Sequence, residues 1–481
     1  MSRLADVRTD ERAALDPRRW ITLSVLLLAG FMNLVDVTIV NVAIPSLIDD
    51  LSASSSQIEW VVAAYILAFA LGLLPFGRLG DVVGRKRMFL LGVSGFTVGS
   101  ALCGLAPTTG FLIAARLMQG TCGAMMMPQV LALVQVTFPR EERGFAFSLF
   151  GVTAGMAAVT GPLLGGVLIG ADLYGLVWRP IFLINIPVGI FALVMGWRLI
   201  PATKRSAYQP IDVVGVALAA LTVFAIVFPL VEGREFGWPL WCFGMMAASL
   251  PLAVSFVSWE ARRARRHETQ LVPVGLLANR HFLLGLSMTA TLFAGIPGFF
   301  FVIALFLQVG FGFTALQSGL TTVPFSVGVF VASLVSGRFG SSHAKARLVA
   351  GPLILAAGMA FLLFVASGAT TAIDHWVFTG PLVIAGLGMG ITVAPLFATI
   401  LTVVKDQDAG SGSGALQTFQ QIGGALGVAV LGQIFFGALA GGTTPDDYRA
   451  SFMATLYLQV ALFLLLAVLA SRLPADDARL N

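Results

Sequence analysis

The sequence has little charge. Asp, Glu, Lys and Arg together make up 11% of its 481 residues, where a soluble domain carries about 25%. So few charges do not cover a surface facing water, and 57% of the residues are hydrophobic. The solvent for most of the chain is therefore lipid, and reading the length as roughly three soluble domains does not apply. Cysteine is scarce. Cys103, Cys122 and Cys242 each sit in an apolar run, with neither CxxC nor metal spacing, and read as small buried hydrophobes. The four histidines (His267, His281, His343, His375) lie near span ends and far apart, so no metal site is expected. Only four lysines occur (Lys86, Lys204, Lys345, Lys405), none after a glycine-rich turn, and no GxxxxGKS or GxxxxGKT phosphate loop exists. That argues against an ATP-driven subunit. The lack of any aligned cluster of His, Cys or carboxylates argues against a membrane enzyme, and no cofactor is expected. The net charge of +5 is not a nucleic-acid signal, because the basic residues are scattered through short loops.

What the sequence does contain is long apolar runs. Crossing the ~30 Å hydrocarbon core takes about twenty apolar residues. Runs of that length occupy roughly 20–45, 57–77, 88–106, 110–132, 144–169, 180–200, 212–231, 238–259, 282–307, 315–337, 348–368, 376–402, 412–438 and 451–471, which predicts fourteen membrane helices. The seventh and eighth are separated only by Glu232–Trp238. The first run has no small-residue cleavage pattern and reads as a signal anchor, not a removable signal peptide.

The basic residues test this count independently, since loops on the cytoplasmic side are rich in Lys and Arg. With an inside N-terminus and strict alternation, twenty-five of the 29 basic residues fall inside, and only Arg179, Arg234 and Arg449 fall outside. One remains, Arg116, and it lies within the fourth span. A missed helix would invert every later segment, so the split supports fourteen spans with both termini cytoplasmic.

Two loops repeat a pattern. Gly77-Arg-Leu-Gly-Asp-Val-Val-Gly-Arg-Lys-Arg87 follows the second span, and Gly337-Arg-Phe-Gly-Ser-Ser-His-Ala-Lys-Ala-Arg347 follows the tenth. Gly123 and Pro128 in the fourth span correspond to Gly390 and Pro395 in the twelfth. The expected organisation is a cytoplasmic tail (1–19), a six-helix bundle (20–203), two inserted spans with a basic linker (204–269), a second six-helix bundle (270–471) and a final tail (472–481). Chance similarity in glycine-rich apolar sequence competes with this reading.

Several motifs are similar to those of a known family. Gly77–Arg87 resembles the signature of the major facilitator superfamily in the loop after span 2. Leu34-Val-Asp-Val-Thr-Ile-Val-Asn-Val-Ala-Ile-Pro45 resembles the first-span motif of its fourteen-span drug:proton antiporters, the EmrB/QacA-type multidrug efflux branch. Arg116-Leu-Met-Gln-Gly120 resembles the fourth-span motif. Gly151, Gly155 and Gly161-Pro162-Leu-Leu-Gly-Gly166 resemble the antiporter motif of span 5. Trp178–Pro187 and Leu416–Gly424 are also similar to stretches typical of that branch. The resemblance covers nearly the whole chain. It implies a major facilitator fold, all-α and polytopic, with 14 transmembrane helices arranged 6+2+6. It further implies proton-coupled export of drugs or other small amphiphilic solutes across a bacterial inner membrane, by alternating access and as a monomer. A proton-coupled permease for a specific metabolite on the same fold is the alternative, since fold alone does not fix function. Arginine outnumbers lysine, which suggests a GC-rich bacterial source.

Asp36 is the only acidic residue deep within a span, and an ionisable residue there is functional by default. At 1.5 Å per residue it lies ~24 Å from Trp20, in the outer half of the bilayer, and Arg116 lies ~9 Å in from the outer side. The two are each other's expected partner, because an unpaired charge in hydrocarbon costs far more than a paired one. Burial favours the protonated carboxyl and a nearby arginine the ionised one. A change in their separation would therefore take up or release the coupling proton; a permanent structural ion pair is the competing reading. By the family resemblance, Asp81 caps a helix N-terminus of the other half and acts with Gly77, Gly84 and Arg85 as a conformational gate. Because Ser341 stands at the corresponding place in the second copy, this latch is expected in one half only. Gly155, Gly161, Pro162 and Gly165 read as packing or hinge positions of span 5. Candidates for the substrate cavity are Asn33, Gln119, Met125, Phe301, Gln417 and Gln421, chosen for polar groups at helical spacing or a soft apolar lining. Spans 9–14 contain no buried Asp or Glu, which favours neutral, zwitterionic or monocationic solutes over dications.

Overall fold

A computed structural model describes residues 17–172, 175–201, 212–233, 236–339, 343–368 and 374–473. Arg3, Arg8, Arg12, Lys204, Arg205, Arg234, Ser341 and Arg479, all used in the sequence reading, lie outside the described residues. Among those described there are fourteen helices long and apolar enough to cross a bilayer, and no strand. They are α1 Arg19–Leu51, α2 Ser55–Val83, α3 Arg85–Gly104, α4 Thr109–Thr137, α5 Arg140–Gly170, α6 Asn185–Leu199, α7 Val213–Glu232, α8 Leu240–Arg265, α9 Arg280–Leu305, α10 Ala315–Arg338, α11 Ala344–Ser367, α12 Thr379–Thr402, α13 Ala409–Leu439 and α14 Pro445–Ser471. A short turn of helix, Pro180–Leu183, leads into α6.

Several helices outrun the apolar stretch that predicts them. The first apolar run ends near residue 45, yet α1 continues to Leu51 over 33 residues, about 50 Å at the usual rise and well beyond the hydrocarbon core. Prolines stand inside most of these helices, among them Pro75, Pro128, Pro162, Pro324 and Pro395. Lipid offers no alternative hydrogen-bond partner, so the backbone stays helical around them.

The helices pair alike in the two ends of the sequence. α2 packs on α4 and α10 packs on α12. Gly120 meets the backbone of Tyr65, and Gly390 meets the backbone of Val329 and Ser333. Both α2 and α10 open with a capping box, Ser54 with Gln57 and Thr314 with Gln317. α1 to α6 form one set of packed helices and α9 to α14 another. The two sets meet where α5 packs on α10 and α12, and where α13 packs on α2 and α4. α7 and α8 form a hairpin whose α7 lies against α2 and α13.

Candidate functional site

Asp36 sits near the middle of α1 with no exposed surface. Its Oδ2 accepts from Arg116 Nη1 of α4 at 2.5 Å. Its Oδ1 accepts from two amides, Gln119 Nε2 at 2.8 Å and Asn185 Nδ2 at 3.0 Å. Ser100 Oγ of α3 accepts from the same two amides, at 2.8 Å from Gln119 and 3.3 Å from Asn185. Arg116 also donates through Nη1 to Gln119 Oε1 at 2.7 Å and through Nε to the carbonyl of Val61 at 3.1 Å. Its guanidinium lies 4.2 Å from the Tyr65 ring centre, and the Tyr65 hydroxyl accepts from Asn33 Nδ2 at 2.6 Å. One carboxylate thus draws donors from α4 and α6, braced by α2 and α3, with every polar member buried. This is how an intramembrane charge is tolerated: both carboxylate oxygens have protein donors where water would otherwise stand.

The spacing explains the convergence. Arg116 and Gln119 are three residues apart and share a face of α4. Asn185 opens α6 immediately after the break at Ile184. The sequence alone gives Asn185, Ser100 and Tyr65 no role. The signal available for Asn185 was its being a lone amide within an apolar span.

α5 links this network to the other half. A side chain at Gly161 would strike Thr38, and one at Gly165 would meet Ile39 Cγ1 at 3.0 Å, so α5 lies tight against α1 one turn from Asp36. Farther along, Gly155 faces Val329 and Gly151 faces Ser333, both on α10. Pro162 lies within a helix that runs unbroken from Arg140 to Gly170.

At one end of the molecule, Asp81 joins the halves. Its Oδ1 accepts from the Gly410 amide at 2.9 Å and its Oδ2 from the Ser411 amide at 3.0 Å. These are first-turn donors of α13, whose own N-cap residue Asp408 makes no side-chain cap. Arg85 donates to Asp81 Oδ1 at 3.0 Å (Nε) and 2.8 Å (Nη2), and Nη2 also reaches the Asp406 carbonyl. Arg78 pairs with Asp408 at 3.3 Å. Gln135 of α4 donates to the carbonyls of Leu401 at 3.1 Å and Val404 at 2.9 Å, and Ser413 to that of Pro128 at 2.8 Å. Gly77 lets α2 touch α13, since a side chain there would strike the Gly410 carbonyl. Gly84 turns the chain between α2 and α3 at φ 107°, a conformation that other residues resist. The second copy of the loop differs. Arg347 donates to the Ser336 carbonyl at 2.7 Å within its own half, and Pro139 at the start of α5 makes no side-chain cap.

The cavity candidates scatter. Asn33 and Gln119 belong to the Asp36 network and have almost no exposed surface, so neither lines an open wall in this conformation. The Gln119 amide is drawn to the buried charges, which need partners more than a cavity does, and the Asn33 amide to the Tyr65 hydroxyl beside them. Gln417 falls in the buried first half of α13, and its Nε2 has no hydrogen-bond partner among the described residues. Met125, Phe301 and Gln421 are half-buried, with Phe301 packed against α13 opposite Gly432. Asp36 is also not the only buried acid. Glu260 near the end of α8 has no exposed surface, and its Oε2 accepts from the Leu271 amide at 3.0 Å.

The sequence profile described as Major Facilitator Superfamily matches residues 26–428. The chain is 42% identical over 428 residues to the probable actinorhodin transporter of Streptomyces coelicolor, covering 89% of this chain and 74% of the relative. It is 32% identical over 438 residues to the tetracenomycin C resistance and export protein of Streptomyces glaucescens, covering 90% and 78%. Its fold is similar to that of the human organic anion transporter MFSD10, with a TM-score of 0.67 at 16% identity over 95% of this chain and 100% of that one. Fourteen apolar helices and bacterial relatives of this kind make it a multi-pass transporter of small solutes in the bacterial inner (plasma) membrane, and the chain belongs to the major facilitator superfamily.

Proposed function

We propose that this protein is a proton-coupled antiporter that exports drugs or other small amphiphilic compounds by alternating access. The observation that carries this reading is Asp36, a carboxylate with no exposed surface, held by Arg116, Gln119 and Asn185 from two other helices. When Asp36 takes up a proton, the charge-assisted bond to Arg116 weakens, and such bonds contribute about 1.5–3 kcal/mol each. Arg116 keeps Gln119 Oε1, the Val61 carbonyl and the Tyr65 ring as partners, so it stays in place while α1 is freed. Motion of α1 passes to α5 through Gly161 and Gly165, and from α5 to α10 through Gly155 and Gly151. Asp81 and Arg85 act as the gate that holds this conformation closed at the α13 N-terminus.

The rest of the reading follows from this. The chain divides into a bundle of 20–203, an inserted segment of 204–269 and a bundle of 270–471. Both termini, and with them the Asp81 end, lie on the cytoplasmic side, and the protein works as a monomer. The unmet donor of Gln417 supports a place for that residue in solute binding, with Met125, Phe301 and Gln421 as softer contacts. A single acid deep in the membrane favours neutral, zwitterionic or monocationic solutes. The name of the Streptomyces glaucescens relative, a tetracenomycin C resistance and export protein, supports export as the direction.

Everted membrane vesicles test it. An imposed pH gradient, acid inside, should drive accumulation of a fluorescent amphiphile, and nigericin should abolish it. Accumulation that ignores collapse of the gradient, or that runs only with the proton, would contradict antiport.

A further inference from the structure

A second feature lies on the outer flank of the first six helices, away from Asp36. Between α3 and α6, at the Asp81 end, the surface carries a groove of about 630 Å³. Leu90, Leu91, Val194 and Trp197 line it together with Arg87 and Arg198, which stand at the first turn of α3 and the last turn of α6 and so mark its mouth. Trp197 is 72% exposed and Leu91 55%, which in a membrane helix means contact with lipid. Lys86 Nζ donates to the Trp197 carbonyl at 2.6 Å and adds a third cation beside the mouth. Arg87 and Arg198 are exposed and have no acidic partner among the described residues. Among the described residues no carboxylate lines the groove.

We propose that this groove binds an anionic phospholipid, with its phosphate between Arg87 and Arg198 and its upper acyl chain along Leu90, Leu91, Val194 and Trp197. Arg87 and Ser94, at the two ends of the α3 wall, are about 10 Å apart along the helix, room for the first part of an acyl chain. Guanidinium groups match phosphate oxygens in fork geometry. A zwitterionic headgroup would bring its ammonium against cations alone, so charge selects a net negative lipid. Free phosphate leaves the apolar wall uncovered, so the occupant is lipid.

Native mass spectrometry of the full chain, released from detergent with added phosphatidylglycerol or phosphatidylcholine of matched chains, reads this site. Phosphatidylglycerol should stay bound in preference, and Arg87→Gln/Arg198→Gln should lower its retention on the order of tenfold. The equally basic exposed pair at the same end of α8, changed as Arg262→Gln/Arg266→Gln, should leave retention unchanged. Inorganic phosphate in excess should not displace the lipid. Trp197→Ser, which keeps both cations, should also weaken retention and serves if the double variant fails to fold. Equal retention of the two lipids, or equal loss in the control pair, would overturn the site and leave only diffuse attraction.

Discussion

Asp36 makes three hydrogen bonds, and they come from two helices other than its own. Removing one partner of a buried ion pair leaves an uncompensated charge and costs about 3–5 kcal/mol, whereas removing both costs much less. Arg116→Gln is therefore expected to lower thermal stability in detergent sharply, and Asp36→Asn/Arg116→Gln to recover much of it. Additive losses in this cycle would show that the two charges do not depend on each other. The pairing was legible in the sequence because a lone acid and a lone arginine stood at matching depths in otherwise apolar spans. Asn185 was not legible as their partner. Uncharged amides such as Gln129 and Gln135 on α4 and Gln417 and Gln421 on α13 recur along the chain, and nothing in one dimension tells which of them reaches a charge. Asn33 and Gln119 were assigned to the cavity for the same reason: a polar residue on a span must face inward, but the sequence does not say towards what.

At the scale of the helix, α5 matters because it touches both α1 beside Asp36 and the other half. The run Gly161–Gly166 contains two kinds of glycine. Gly161 and Gly165 abut α1, while Gly166 has open space where a side chain would begin. Gly161→Leu is expected to abolish transport, since forcing extra carbon into a packed contact costs about 1–3 kcal/mol and displaces α1. Gly166→Leu should transport normally, and vesicle assays of the pair check this directly. The α13 N-terminus is the second such element. A carboxylate there contributes about 1 kcal/mol through the helix dipole, roughly fivefold in an open-to-closed ratio. Asp81→Asn should thus increase the population open at this end, read as longer distances between spin labels at Glu141 and Ala346. An unchanged distribution would remove Asp81 from the gate. The loop motif pointed to this aspartate only through its family resemblance. Its partners, two amides 329 and 330 residues away, become visible only once α13 is placed.

For the whole molecule, the count of fourteen could be read from apolar runs because each helix must span the same hydrocarbon thickness. Helix ends were less legible, since a helix continues past the lipid wherever capping or tertiary contacts hold it. Arg179, one of three basic residues on the wrong side of the charge rule, has a physical reason to be there: it pairs with Asp50 at 2.7 Å beyond the end of the apolar run of α1. The proposed topology predicts that a fluorescent protein fused after Asn481 folds and fluoresces, whereas alkaline phosphatase fused there stays inactive. An active phosphatase would reverse the orientation and move the Asp81 gate to the outside.

The claim on which the rest depends is that Asp36 carries the coupling proton. Proteoliposomes holding the wild type or Asp36→Asn separate coupling from transport. Solute exchange without a gradient should survive in Asp36→Asn, because alternating access is intact, while uptake driven by a pH gradient should disappear. Gradient-driven uptake at the wild-type rate in Asp36→Asn would contradict the account and leave Asp36 with Arg116 as a structural pair.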